Sequence, residues 1–234
     1  KKYIEKKRLL YIATPFCFKA AKWLNDNKVK SFKIGSGECN NHPLIDYVSS
    51  FKKPMIISTG MNRISSIKKT YDIIRKKKIP HIFLHCVNLY PTNFKLVRLS
   101  RISIFKKLFK KSLIGYSDHT EGTEIAKAAI VLGSKIVEKH FTYDKNIKGP
   151  DISCSMDAKE LQDLINFSNK ITLAFEKKDD FIKEENITRN FAFHSVVSKE
   201  NIKKGEKLSH KNLTIKRPGT GFYPANKLNY LIGK

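Results

Sequence analysis

Six short apolar runs alternate with amphipathic stretches along most of this chain, and each run is followed at once by polar residues. The runs cover residues 9–13, 31–34, 55–58, 81–86, 113–116 and 135–140. Helical periodicity occupies 18–27, 64–77, 123–132 and 158–176. Strands that alternate with helices of about ten to fifteen residues imply βαβ units on a parallel sheet. The runs begin roughly 20 to 30 residues apart, the pace of a (β/α)8 barrel. The polar groups that end them are Thr14-Pro15, Gly35-Ser36-Gly37-Glu38, Ser58-Thr59-Gly60, His85-Cys86-Val87-Asn88, Ser117-Asp118-His119 and Glu138-Lys139-His140. An open doubly wound sheet concentrates such groups at one switch point, whereas a barrel carries them at every strand end. Six strands fall short of eight, so the expected fold is α/β: a TIM barrel lacking its first two βα units, beginning before residue 1.

Texture divides the chain further. Residues 1–176 read as the partial barrel, 177–186 as a charged linker and 187–234 as a small, incomplete second domain. In that domain 190–198 and 214–217 read as strands, 203–206 as a turn, and Pro218, Gly219 and Gly221 break the backbone.

Composition excludes several classes. The hydrophobic fraction of 41% is enough for a core, so a disordered chain is excluded. No run of 18 apolar residues occurs, which argues against a membrane span, and the first eight residues lack a signal peptide's apolar region. The formal charge of +25 invites nucleic acid. Against that, 39 of the 46 basic residues are lysines spread along the whole chain, while base and phosphate recognition favours arginine. Neither nucleic acid nor membrane is expected as a partner. Cys17, Cys39, Cys86 and Cys154 form no CxxC pair, which suits a reducing cytoplasm.

The candidate chemistry sits at the strand ends. In Lys33-Ile34-Gly35-Ser36-Gly37-Glu38 two glycines let the backbone approach an anion, with the Ser36 hydroxyl and Lys33 ammonium as donors. Glu38 adds a carboxylate, and Ser58-Thr59-Gly60 repeats the hydroxyl–glycine turn. His119 and His140 end adjacent strands and suit one shared divalent metal, although a pair of structural histidines fits the spacing too. His85, inside an apolar run, reads as a core histidine. Asn88 and Tyr90-Pro91-Thr92 follow one strand, and Gly149-Pro150-Asp151 follows the last. Lys216-Arg217-Pro218-Gly219 places a guanidinium on a rigid turn.

Taken in order, these segments resemble the sialic acid synthases. The resemblance rests on Ala13-Thr14-Pro15-Phe16, the Lys33 to Glu38 segment, Ser58-Thr59-Gly60-Met61 and Leu84-His85-Cys86-Val87-Asn88-Leu89-Tyr90-Pro91. It continues through Gly115-Tyr116-Ser117-Asp118-His119-Thr120, Glu138-Lys139-His140-Phe141 and Gly149-Pro150-Asp151. Lys216-Arg217-Pro218-Gly219 is similar to a motif of that family's antifreeze-like (SAF) domain. The resemblance implies condensation of phosphoenolpyruvate with N-acetylmannosamine and release of phosphate, giving N-acetylneuraminate. Legionaminate or pseudaminate synthesis is the alternative within the family; a non-catalytic carbohydrate- or nucleic-acid-binding protein is the distant one. By position it implies that Thr14, Lys33, Ser36, Ser58, Asn88 and Ser117 hold phosphoenolpyruvate. Glu38 would orient a water, His119 and His140 would bind Mn2+ (Mg2+ or Co2+ as substitutes), and Tyr90 and Asp151 would contact the sugar. Arg217 would reach the N-acyl group from the partner of a domain-swapped homodimer. Because family members begin with two further βα units, the 234 residues alone are expected to be inactive.

Overall fold

A computed structural model describes residues 1–176 and 181–234, which form two compact units, Lys1–Phe175 and Glu176–Lys234. In the first unit, helix α1 (Lys2–Lys6) and helix α2 (Phe18–Asp26) precede strand β1 (Phe32–Ile34). There follow α3 (His42–Ser50), β2 (Met55–Ser58), α4 (Ile64–Lys76), β3 (His81–Cys86) and α5 (Ser100–Leu108). The unit ends with β4 (Leu113–Asp118), α6 (Glu124–Val131), β5 (Val137–Lys139) and α7 (Ala158–Ala174).

All five strands are parallel and lie in the order β1-β2-β3-β4-β5. Each βα unit therefore adds to the same edge without reversal, as in a barrel and unlike a doubly wound sheet. Single parallel bridges extend the two ends, Ala13 to Phe32 and Phe141 to Met156. Curvature is read from one contact: Lys33 Nζ on β1 lies 3.3 Å from Glu138 Oε2 on β5. In a flat sheet these strands would stand about 19 Å apart, four spacings of ~4.8 Å, beyond the combined reach of the two side chains. The sheet thus curls, with its concave side toward these two residues.

The expected strand at 9–13 is corrected to that single bridge at Ala13. Leu9 and Leu10 are exposed, and at this end of the sheet the segment has a pairing neighbour on one side among the described residues. Helices α3 and α5 are among those that escaped the periodicity reading. Helix α3 starts at an Asn41 cap whose Oδ1 accepts from Leu44 N at 3.2 Å, and α5 buries only Ile102 and Phe105. Helix α7 begins with a capping box, Asp157 accepting from Glu160 N and Glu160 from Asp157 N.

Behind β3 the core is aromatic. Phe83 lies 5.1 Å from Phe109 and 5.6 Å from His81, ring centre to ring centre, and Tyr71 packs on Phe109 at 5.2 Å. His85 is buried in the same layer, its Nε2 donating to Val97 O at 2.7 Å. Burial pushes its pKa down to about 4 from an ordinary 6.5, against the raising effect of that hydrogen bond. An unfolded imidazole takes up a proton near 6.5 and the folded one only near 4, so between these values the unfolded chain binds more protons. The neutral His85 therefore contributes full stability above about 6.5, lost as pH falls toward 4, on the order of 3 kcal/mol in total. His85→Gln, which keeps a donor to Val97, should flatten the pH dependence of unfolding in this window by about one proton. Identical slopes for parent and variant would refute the assignment.

In the second unit, α8 (Asn186–Ala192) precedes β6 (Ser195–Ser198), which pairs antiparallel with β7 (Leu213–Lys216), and α9 (Leu228–Leu231) closes the unit. The expected strand at 190–198 is thus corrected at its start. Phe193 N bonds back to Arg189 O, and the Arg189 guanidinium lies 5.1 Å from both the Phe181 and Phe193 rings, so this stretch completes a helical turn. Of the expected linker 177–186, residues 177–180 lie outside the described residues; Lys183–Glu185 forms a 3-10 turn and Asn186 already belongs to α8. After β7, Ser195 Oγ donates to Pro218 O and accepts from Gly221 N, each at 2.9 Å. A Cβ on Gly221 would stand 2.5 Å from that of Ser195, so the turn needs glycine. Among the described residues no helix is long and apolar enough to cross a membrane.

Candidate functional site

The strands' carboxyl ends bring most of the expected residues together. Lys33, in the middle of β1, points inward; its Nζ donates to Ser58 Oγ at 2.9 Å and pairs with Glu138. Ser117 Oγ donates to the other oxygen of Glu138 at 2.8 Å. Ser36 Oγ accepts from Gly60 N at 3.0 Å, and Asn62 Nδ2 ties the two turns by donating to Ser36 O and Gly60 O. Asn88 lies against the same turn: a Cβ on Gly60 would overlap its Oδ1 and come within 3.0 Å of Ser36 Oγ. Gly60→Ala must therefore displace the Ser36 and Asn88 groups. If this turn binds the phosphoenolpyruvate that the sequence resemblance implies, the affinity of the chain for it should fall by at least about tenfold, since an ångström of misplacement weighs that heavily. Calorimetric titration showing an unchanged affinity would remove this turn from the site. Thr14 and Glu38 sit together at the rim, both near the Cα of Gly35.

Beside this polar cradle stand two imidazoles. The rings of His119 and His140 are 5.3 Å apart, and Tyr90 packs on both, at 4.2 Å from His119 and 5.7 Å from His140. Asn88 Nδ2 donates to Tyr90 OH at 3.4 Å, which links the ring to the cradle. His119 Nδ1 lies 2.8 Å from Val87 O, and a carbonyl only accepts, so Nδ1 carries the proton and Nε2 keeps its lone pair. Burial lowers the pKa of His119, favouring the neutral ring. His140 Nδ1 lies 3.7 Å from Asp151 Oδ2.

Two imidazole donors suit a divalent first-row ion, and the backbone carbonyl behind His119 is the usual outer support of such a ligand. Among the described residues no group of three His, Cys, Asp or Glu is gathered as a ligand set. An ion held here would complete its coordination with water or substrate. Arg217 is exposed in the second unit, directly after β7.

Sequence reasoning assigned no role to Glu138, which joins Lys33 to Ser117. A signal was present: Glu138 stands two residues before His140, and in a strand that spacing shares one face. Cys86 was also left without a role; its thiol lies 3.3 Å from Asn88 Oδ1, and burial pushes its pKa up, so it stays a neutral thiol.

Fold and site together define a barrel-type α/β protein with a polar cradle and an imidazole pair at its strand ends. The chain belongs to the NeuB family, whose model matches residues 1–180, and a SAF domain matches residues 193–234. It is 37% identical to the N,N'-diacetyllegionaminic acid synthase of Campylobacter jejuni over 99% of this chain and 70% of that one. It is 33% identical to the human N-acetylneuraminate-9-phosphate synthase over 100% of this chain and 65% of that one. The crystal structure of N-acetylneuraminic acid synthetase from Leptospira borgpetersenii, in complex with citrate, superposes with a TM-score of 0.76 at 34% identity. It covers 80% of this chain and 66% of that one. The chain spans about two thirds of the length of the curated relatives it matches.

Proposed function

We propose that this chain carries the catalytic sheet of a sugar-acid synthase that joins phosphoenolpyruvate to an open-chain N-acylated amino sugar and releases phosphate. The observation that carries this reading is the convergence of Lys33, Ser36, Ser58 and Ser117 on one concave surface beside two imidazoles. The ammonium and hydroxyls hold the phosphate and carboxylate, so charge is stabilised by groups already in place. The enol carbon attacks the sugar aldehyde, a water adds at the neighbouring carbon, and phosphate leaves with cleavage of its C–O bond. Glu38, at the rim beside Thr14, orients that water. A divalent ion held by His119 and His140, Mn2+ in first place, would supply Lewis-acid polarisation of the aldehyde oxygen. Tyr90, packed on both imidazoles, and Asp151, beside His140, face the sugar. Arg217 serves its N-acyl group from the partner of a domain-swapped homodimer.

N-acetylmannosamine is the sugar of this reading, with N-acetylneuraminate as product. The 37% identity to a diacetyllegionaminic acid synthase favours a second reading in which the sugar carries two acetamido groups. Calorimetric titration of the 234-residue chain should show phosphoenolpyruvate binding that inorganic phosphate competes away. In a chain that also carries the two βα units expected before residue 1, phosphate release should require both phosphoenolpyruvate and a sugar, and the preferred sugar separates the two readings. No binding of phosphoenolpyruvate, or release without any sugar, overturns the proposal.

A further inference from the structure

Between the Ser117–Glu138 rung of β4 and β5 and the imidazoles that follow these strands lies a pair that takes no part in the chemistry above. Asp118 and Lys139 are register partners on these strands, and Nζ lies 2.8 Å from Oδ2 with neither side chain exposing any surface. Every polar group of the pair has company. Asp118 Oδ1 accepts from Thr120 N at 3.0 Å, Thr120 Oγ1 at 2.9 Å and Tyr116 OH at 3.2 Å. Lys139 Nζ also donates to Thr120 O at 2.7 Å.

A buried ion pair seldom adds net stability over apolar residues of the same volume; its best-attested use is to specify one arrangement against others. Here the arrangement is a register. The rung before it, Ser117 with Glu138, carries the 2.8 Å hydrogen bond of the cradle. The next residue on each chain segment is an imidazole, His119 after Asp118 and His140 after Lys139. Because side chains alternate between the faces of a strand, a slip of one residue would turn one imidazole away from the other. Only the correct register joins Asp118 to Lys139, and the bond from Lys139 to Thr120 O holds the backbone on the far side of His119 as well.

We propose that Asp118 and Lys139 are positioning residues: their buried ion pair fixes the register that holds the His119 and His140 rings together. The proposal rests on the synthase reading only for what the imidazoles bind. The test is the double variant Asp118→Asn with Lys139→Met, which removes both charges at similar volume. It should melt cooperatively, yet bind Mn2+, followed by electron paramagnetic resonance, at least about tenfold more weakly. Affinity for phosphoenolpyruvate should fall less than affinity for Mn2+, since of its expected ligands only Ser117 adjoins the altered pair, while Lys33, Ser36 and Ser58 lie on or directly after other strands. Imidazole nitrogen shifts by NMR give a readout without metal. The parent should show His119 protonated at Nδ1, and the double variant a mixture of tautomers as the bond to Val87 loosens. If the double variant does not fold, Asp118→Asn alone, which keeps the Lys139 bond to Thr120, is held to the same readouts. Failure of the parent to bind Mn2+ would count against the metal reading only, and the tautomer measurement would then decide this proposal. Unchanged Mn2+ affinity together with an unchanged His119 tautomer overturns it.

Discussion

On the synthase reading, and in a chain that also carries the two βα units expected before residue 1, His119→Ala should lower the rate of phosphate release from phosphoenolpyruvate by at least about a thousandfold while leaving the protein folded. Three contacts converge on this ring: the Val87 carbonyl at Nδ1, the Tyr90 ring at 4.2 Å and the His140 ring at 5.3 Å. Its Nε2 is the lone pair that the first contact leaves available. Alanine removes that donor and also the surface on which Tyr90 packs. The backbone is held independently, because Thr92 N donates to His119 O at 2.7 Å. A coupled assay of phosphate release, run beside a thermal melt, checks the prediction. A folded variant within about tenfold of the parent rate would remove His119 from the chemistry.

The largest loss of stability is expected from Phe83→Ala. This ring is wholly buried on the central strand β3 and touches the aromatic layer formed by Tyr71, His81 and Phe109. Removing a buried phenyl costs about 3–5 kcal/mol, because transfer energy and the cavity add. For a unit of this size that corresponds to a fall in melting temperature of roughly 10 °C or more. Differential scanning calorimetry would measure it. A shift below about 3 °C would mean that the layer collapses around the gap and that Phe83 is not central to the core.

Much of the strand pattern could be read from the residues alone. The runs at 55–58, 81–86 and 113–116 became β2, β3 and β4, since each is apolar over its length, as a strand buried on both faces must be. The run at 9–13 has the same composition and still makes only one bridge, because strand formation needs a neighbour and not only a propensity. Helices α3 and α5 went unread for the opposite reason. Each is nine residues long, α3 beginning at an asparagine cap and a proline, and short helices of this kind are held by packing more than by periodicity. In the second unit residues 190–198 read as a strand, but Asn190–Ala192 end helix α8, with Arg189 over the Phe181 and Phe193 rings on either side of it.

At the site, residue types were legible and partnerships were not. Glycine beside a hydroxyl at a strand end declares an anion turn through local backbone geometry, and two histidines one strand apart declare a pair. Neither shows that Lys33 reaches Glu138, or that Asp118 meets Lys139 out of water.

The sequence by itself determined the parallel α/β class, the placing of chemistry at the strands' carboxyl ends and the change of texture before the second unit. These depend on periodicity and turn chemistry, whose interactions span only a few residues. Tertiary structure alone decided that Lys33 on β1 reaches Glu138 on β5, that Glu138 joins the cluster of site side chains and that a buried ion pair lies next to the imidazoles. Those contacts come from the accumulated twist and curl of five strands, and no short stretch of chain carries that sum.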